Sequence, residues 1–335
     1  MEIKQIHALI NNCSLPGNCD NAGLTETHIS WIILTDDFAY KIKRPVKYSF
    51  VDFSSIERRK HFCQMELKLN RRLAPEMYLD VLPVTRNMVE AETGNGEEEI
   101  IDFAVQMKRM DNNKEMDKLL EENKVAPGHI QTLARKISDF HKQVNVIKKP
   151  FDIDNLQKTY SDIKPVVSSM KENAGEEWDN KVTRCINSSS LFLKKNKDLI
   201  NERVRNGYRK DCHGDLNAHN IFLYDDPVIF DCIEFNDEFR YIDVLNDIAF
   251  LCVDLDFFGR EDLSKLFCNK YFKYSGTEDN RNTKKILAYY KSYRANIRAK
   301  VTLISAKKMN VGETGKEILD AGKYIDLMEK YSEAI

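Results

Sequence analysis

No run in this 335-residue sequence approaches the roughly 20 uninterrupted apolar residues that span a bilayer. The opening MEIKQIHALI also lacks the basic start, apolar stretch and small-residue cleavage site of an export leader. These absences exclude a membrane-spanning helix and point to a cytoplasmic protein without a membrane partner. Neither sign of charge is in excess: Lys+Arg 51 against Asp+Glu 53 leaves a net charge of −2. No strong field therefore draws the chain onto nucleic acid. The eight cysteines, at 13, 19, 63, 185, 212, 232, 252 and 268, form no CxxC pair, and several fall inside apolar runs. That argues against zinc or redox chemistry and for reduced thiols in the core. There is no internal repeat, and low complexity is confined to the acidic turn ETGNGEEE and to Ser188–Ser190. What remains, 42% hydrophobic and 31% charged, can bury a sizeable core in two lobes.

The first third alternates as strands do. In WIILTDDFAYKIKR the runs Trp31–Thr35 and Phe38–Arg44 flank Asp36-Asp37, a hairpin pattern. Tyr40 and Ile42 share one face of the second run, Lys41 and Lys43 the other. Taken alone, each lysine reads as part of a solvated face. A helix is expected over Ser54–Leu73, capped by Ser54 or Ser55 and ended before Pro75. Glu66 lies inside its apolar stripe of Phe62, Leu69 and Leu73, so it either reaches water at the stripe's edge or requires a buried cation. YLDVLPV and IIDFAVQM are further strands. Beyond Met110 the pattern turns helical: Ile130, Leu133, Ala134, Ile137, Phe140, His141 and Val144 recur at helix spacing, with His141 expected as a hydrogen-bonded core histidine. Residues 151–201 are polar and helical in pieces, and Lys284–Lys307 reads as a long helix with Tyr290, Ile297, Val301 and Ile304 along one side. The division falls between a sheet-rich lobe, 1–108, and a larger helical lobe, 109–335.

The chemistry concentrates in CHGDLNAHNIFLYDDPVIFDCIEF, residues 212–235. Ile221–Tyr224 and Val228–Phe230, separated by Asp-Asp-Pro, form a small hairpin. Asn220 precedes it and Asp231 follows it, so closure brings their Cα atoms to about 5 Å. An amide oxygen and a carboxylate converging there form a hard-oxygen pair suited to Mg²⁺ carrying nucleotide phosphates. Asp215, five residues before Asn220, can accept a proton from a hydroxyl beside the metal. The order Asp, four residues, Asn, hairpin, Asp is that of a kinase catalytic loop, with His213 in the place of its opening histidine. Zinc on His213, Asp215 and His219 fits no common ligand spacing, and a purely turn-capping loop leaves the rest of the order unexplained. A kinase also needs a phosphate-contacting lysine held by a helical glutamate; Lys41 and Glu66 supply both in the right order.

With HGDLNAHNIFL, VIFDCIEF, YIDVLNDIAFL, ETHISWIIL, AYKIKRPVKYSFVDFSSIERR and ELKLNRRLAPEMYL, the chain resembles the aminoglycoside phosphotransferase-like kinases from about Glu26 to Ala306. It is most similar to the branch known as bifunctional aminoglycoside phosphotransferase/ATP-binding proteins. The resemblance implies an α+β, protein-kinase-like two-lobe fold with a small β-rich N-lobe and a larger helical C-lobe, using ATP and Mg²⁺. Carried over by position, it makes Asp215 the catalytic base with His213 beside it, Asn220 and Asp231 the metal ligands, Lys41 the contact to the α/β-phosphates and Glu66 its anchor. Val105–Met110, with Met107 and Lys108, becomes the hinge that meets adenine through its backbone, and Asp247 a brace under the catalytic loop. THIS, Thr27 to Ser30, stands where kinases carry G-x-G-x-x-G, leaving Thr27 and Ser30 to cover the phosphates. The branch's P-loop ATPase motif is not matched: GETGKE, residues 312–317, has the wrong spacing and reads as a loop between helices.

The expected reaction is transfer of the ATP γ-phosphate to a hydroxyl of a small molecule; the alternative is a pseudokinase-like ATP-binding module acting through a protein partner, itself unknown. The acceptor stays open. Arg294 and Arg298 suit an anionic group, whereas Glu234, Asp237 and Glu238 suit a cationic one.

Overall fold

The alternation in WIIL and FAYKIK builds neighbouring strands of one antiparallel sheet. The computed structural model describes residues 1–90, 99–307 and 315–335, without the side chains of 171–175; most of ETGNGEEE and the start of GETGKE lie outside the described residues. The chain divides into two compact units, 1–116 with 220–239, and 117–219 with 240–335. The first break thus falls after Met116 where the sequence pattern placed it after Lys108, and the hairpin after Asn220 joins the first unit.

In the first unit, strands β1 (Gly23–Glu26), β2 (Ser30–Leu34), β3 (Phe38–Lys43), β4 (Tyr78–Thr85) and β5 (Ile100–Lys108) run in the order β1-β2-β3-β5-β4. The register pairs Ser30 with Lys43, Ile32 with Lys41 and Ala39 with Met107. Because side chains alternate, Ser30, Ile32, Ala39, Lys41, Lys43, Val105 and Met107 share one face. Tyr40 and Ile42 lie on the other, as expected, packed with Trp31, Ile33 and Ala104 against Ile6 and Leu9 of helix α1 (Ile3–Asn11). Helix α2 (Ile56–Asn70) is capped by Ser55, whose hydroxyl accepts the Arg58 N–H at 3.3 Å. Its buried positions are Arg59, Cys63, Glu66, Leu69 and Asn70; of the expected stripe Glu66, Leu69 and, beyond the helix, Leu73 are buried, while Phe62 is only half-buried and the polar Arg59 and Asn70 are buried as well. That face is buried because each polar group has a partner: Arg59, for instance, holds Asp102 at 2.8 Å.

The second unit is helical: α3 (Pro127–Gln143), α4 (Ile153–Ser161), α5 (Ile163–Ser168), α6 (Lys171–Lys195), α7 (Lys197–Arg205), α8 (Val244–Phe257), α9 (Glu261–Ser275), α10 (Arg281–Ala306) and α11 (Gly315–Ser332). The period read in α3 holds through Ile130, Leu133, Ala134, Ile137, Phe140 and His141, all buried. The stripe expected on α10 does not: Tyr290 is buried but Val301 and Ile304 are exposed, and the helix packs Ala295, Ala299 and Leu303 against Val182, Ala321 and Ile325 of α6 and α11. Small residues there let α11 approach closely, which an apolar count misses. Gly315 to Glu317 open α11 and are not part of a loop. No helix among the described residues is long and apolar enough to cross a membrane.

The cysteines need one correction. Cys63, Cys185, Cys212, Cys232 and Cys252 are buried free thiols, but Cys13 and Cys19 form a disulfide outside the core. Their six-residue separation spans a Pro-Gly turn, which brings the two sulfurs together.

Candidate active site

Lys41 lies mid-strand in β3 and points at the buried face of α2. Its ammonium is 2.9 Å from Glu66 Oε1 and 2.5 Å from Asp231 Oδ1. Each position was ambiguous alone, and the expected pairing of the two forms: Glu66 is fully buried, and the Lys41 ammonium meets it. Burial alone would lower the lysine's proton affinity, but Asp231, Glu66 and Glu234 outweigh it and hold the ammonium well above its ordinary range. For Glu66, burial pushes the carboxyl up while Lys41 and Lys43 pull it down further, to about 2.

Lys43 is not on a solvated face. Its ammonium is fully buried, 2.7 Å from Glu66 Oε2 and hydrogen-bonded to Glu234 Oε1. Glu66 therefore divides its two oxygens between two lysines. Burial holds Glu234 above the ordinary carboxylate range, against the pull of Lys43.

The hairpin forms as expected, with a different register. Val228 faces Phe222 and Ile229 faces Ile221, so the next pair is Phe230 with Asn220, joined by a 3.0 Å bond from the Phe230 N–H to the Asn220 carbonyl. Asp231 lies one residue beyond that pair, at φ +60°, a left-handed conformation that costs about 1 kcal/mol for a non-glycine residue. It is held by successive ties: the Asp231 N–H donates to Tyr78 Oη at 3.3 Å, and the Cys232 N–H donates to Asn70 Oδ1 at 2.8 Å. Asp231 thus turns away from the ladder toward Lys41.

In the second unit, the loop before Asn220 hangs on one carboxylate. Asp247, fully buried near the start of α8, accepts the His213 N–H at 3.1 Å and the Gly214 N–H at 2.8 Å. Its Oδ2 also meets His141 Nε2 at 3.0 Å, and His141 Nδ1 meets Tyr271 Oη at 2.7 Å. Burial pushes the Asp247 carboxyl up, but His141 and His213 bring it down, to about 2. Asp247 is the brace the resemblance implied, and His141 the core histidine, with the added task of holding the brace. His141, Cys212 and Asp247 offer ligand atoms within 4.8 Å of one another, yet both His141 nitrogens are already engaged, so the cluster reads as a hydrogen-bond network. His213 is buried, and its Nδ1 accepts the Asp215 N–H at 3.3 Å; it shapes the loop from inside. Asp215 Oδ1 accepts from Asn217 Nδ2 at 3.0 Å, while the Ala218 N–H donates to Asp254 at 2.9 Å. At the other side of the loop His219, which Asp117 at 2.7 Å keeps more basic than usual, closes the turn.

The remaining expected residues are distributed as follows. Thr27 opens the β1–β2 turn, its hydroxyl accepting the Ser30 N–H at 2.9 Å and its own N–H donating to the Ser30 carbonyl at 2.9 Å. Ser30 is buried on the Lys41 face, and its hydroxyl finds no hydrogen-bond partner among the described residues. Met107 is buried on the same face, and Lys108 is exposed at the end of β5. Arg294 is buried against Phe250 and donates to the Asn246 carbonyl, so it is structural. Glu234 is likewise committed to Lys43. Arg298 meets Asp254 at 3.3 Å and Tyr324 Oη at 3.0 Å. Sequence reasoning missed Lys43 and Glu234 as partners, and Asn70 and Tyr78 as supports; the one available signal was polar residues recurring on the buried face of α2.

A five-stranded antiparallel sheet in one unit, a helical second unit and this lysine–glutamate pair define the class: the chain has the protein-kinase-like fold of small-molecule kinases. Among solved structures it is similar to a choline kinase from Cryptosporidium parvum Iowa II (TM-score 0.57, 12% identity, 98% of this chain and 95% of that one). It is similar also to a choline/ethanolamine kinase family protein from Mesorhizobium loti (TM-score 0.52, 12% identity, 98% and 99%). A variant of aminoglycoside 2'-phosphotransferase-IIIa in complex with GDP matches at TM-score 0.53, with 12% identity over 98% of both chains. The resemblance to aminoglycoside phosphotransferase-like kinases thus holds at the level of the fold. Uncharacterized proteins of Mycobacterium tuberculosis and Mycobacterium bovis are 29% identical over 301 residues, 86% of this chain and 57% of theirs; the chain spans little more than half their length. No protein-family model matches it.

Proposed function

We propose that the protein is an ATP- and Mg²⁺-dependent phosphotransferase acting on a hydroxyl of a small molecule. The observation that carries this reading is Lys41, held between Glu66 and Asp231 at 2.9 and 2.5 Å. A fully enclosed glutamate paired with a strand lysine, and a second carboxylate in reach of the same ammonium, has a plain use where a phosphate chain and its metal are handled. The fold shared with choline kinases and a nucleotide-bound aminoglycoside phosphotransferase supports the same class.

The residues fit a nucleotide with its cation. The buried, unpartnered Ser30 hydroxyl lies on the sheet face that carries Lys41, and Asp231 with Asn220 offers the hard oxygens Mg²⁺ prefers. When bound, Mg²⁺ neutralises charge developing on the transferred phosphoryl group. Asn220 and Asp231 would hold it. Lys41 would exchange its contact with Asp231 for the α/β-phosphates while Glu66 keeps it oriented. Ser30 and the Thr27 turn would lie over the phosphates, and the backbone of Met107 and Lys108 would meet adenine. Asp215, with His213 fixing its loop, would take the acceptor's proton. The test is ATP consumption across a panel of hydroxyl-bearing metabolites with and without Mg²⁺. Binding of Mg·ATP without turnover on any of them would favour the ATP-binding module.

A further inference from the structure

The phosphotransfer reading uses Lys41 but leaves Lys43 without a task, although its side chain is fully buried between two carboxylates. Buried ion pairs are weak sources of stability compared with apolar residues of similar volume, so stability alone does not account for it. Its placement does. Glu66, which it meets at 2.7 Å, holds Lys41 with its other oxygen at 2.9 Å. Glu234, its second partner, lies three residues beyond Asp231 on the same segment. That segment begins in a strained conformation, with Asp231 at φ +60°. Ahead of Glu234 it is tied by neutral bonds, from the Asp231 N–H to Tyr78 at 3.3 Å and from the Cys232 N–H to Asn70 at 2.8 Å. Glu234 supplies the charged tie at its far end, and that tie runs to the strand that carries Lys41.

We propose that Lys43 is a positioning residue of the phosphotransfer site: by bridging Glu66 and Glu234 it fixes the segment that presents Asp231 to the metal in register with the strand that presents Lys41. The inference rests on the phosphotransferase reading. It gives Glu234 a support role and removes it from the acceptor pocket.

The test uses the full chain and measures ATP affinity by calorimetry, in EDTA and in Mg²⁺, for the wild type, Glu234→Gln and the double variant Lys43→Met/Glu234→Leu. The double variant removes one charge of each sign and leaves Glu66 with Lys41 alone, whereas Glu234→Gln keeps Lys43 on Glu66, so this single variant tests the tie to Glu234 with the Lys41–Glu66–Lys43 contacts in place. Residues that orient a metal ligand typically change metal affinity about 10–100-fold. The expected result is a loss of about tenfold or more in the Mg²⁺-dependent gain of ATP affinity in both variants, with ATP affinity in EDTA within about twofold of wild type. A purely structural pair would not separate those two affinities. Wild-type Mg²⁺ enhancement in both variants, whatever their melting temperatures, would overturn the proposal. Absence of any Mg²⁺ enhancement in the wild type would instead overturn the phosphotransferase reading beneath it.

Discussion

Replacing Asp247 with asparagine removes the brace while keeping its size. In the native protein one carboxylate accepts two backbone N–H groups, from His213 at 3.1 Å and Gly214 at 2.8 Å, and meets His141 Nε2 at 3.0 Å. An asparagine oxygen can serve one side only, and its amide then directs N–H groups at donors on the other. Leaving a buried donor unmatched costs about 1–3 kcal/mol, more where the lost acceptor was charged. An overall loss of about 3 kcal/mol follows, which for a unit of this size lowers the melting temperature by about 6–12 °C. Differential scanning calorimetry measures it. Amide exchange reports the local effect: the His213 and Gly214 protons should exchange faster in the variant, and the loop bearing Asp215 should lose activity out of proportion to its occupancy by ATP. A variant that melts within about 1 °C of wild type with unchanged exchange at these two amides would refute the bracing argument.

Glu66 predicts the acid limb of stability. Its folded carboxyl sits near 2, below its value of about 4.3 in an unfolded chain. A depressed carboxylate contributes stability that is fully present above the unfolded value and lost as pH falls through the folded one. Urea unfolding of wild type and Glu66→Gln should therefore converge between pH 4.5 and 2, by on the order of 3 kcal/mol; a gap that stays constant over this range would contradict the pairing. Gly322→Ala should destabilise despite alanine's helix propensity, because a Cβ there meets the rigid Trp178 ring at 2.7 Å. Overpacking of about 1–3 kcal/mol outweighs a propensity gain of about 1, so a raised melting temperature would count against the α6–α11 packing.

Much of the site was legible because it is local. The spacing from Asp215 to Asn220, the hairpin and Asp231 lie within one short segment, and a period of two placed Lys41 on the face opposite Tyr40. Lys43 has the same period and the same neighbours in sequence, so nothing local separates it from a solvated lysine. Its burial is decided by Glu234, 191 residues away, and by the polar buried face of α2, which an apolar stripe cannot reveal. The hairpin was read correctly, but its register was off by one residue, because the left-handed turn at Asp231 has no glycine to announce it. The Cys13–Cys19 pair escaped for a similar reason: scattered cysteines carry no pairing signal until a turn joins two of them.

Asp215 is the residue on which the proposed phosphate transfer depends most directly. Phosphate transfer from γ-labelled ATP to a hydroxyl acceptor, measured in Mg²⁺ for wild type and Asp215→Asn, should fall about 10²–10⁴-fold in the variant, with Mg·ATP affinity retained. Equal turnover by the two proteins, or no Mg²⁺-dependent binding and no transfer by the wild type across the acceptor panel, would contradict it.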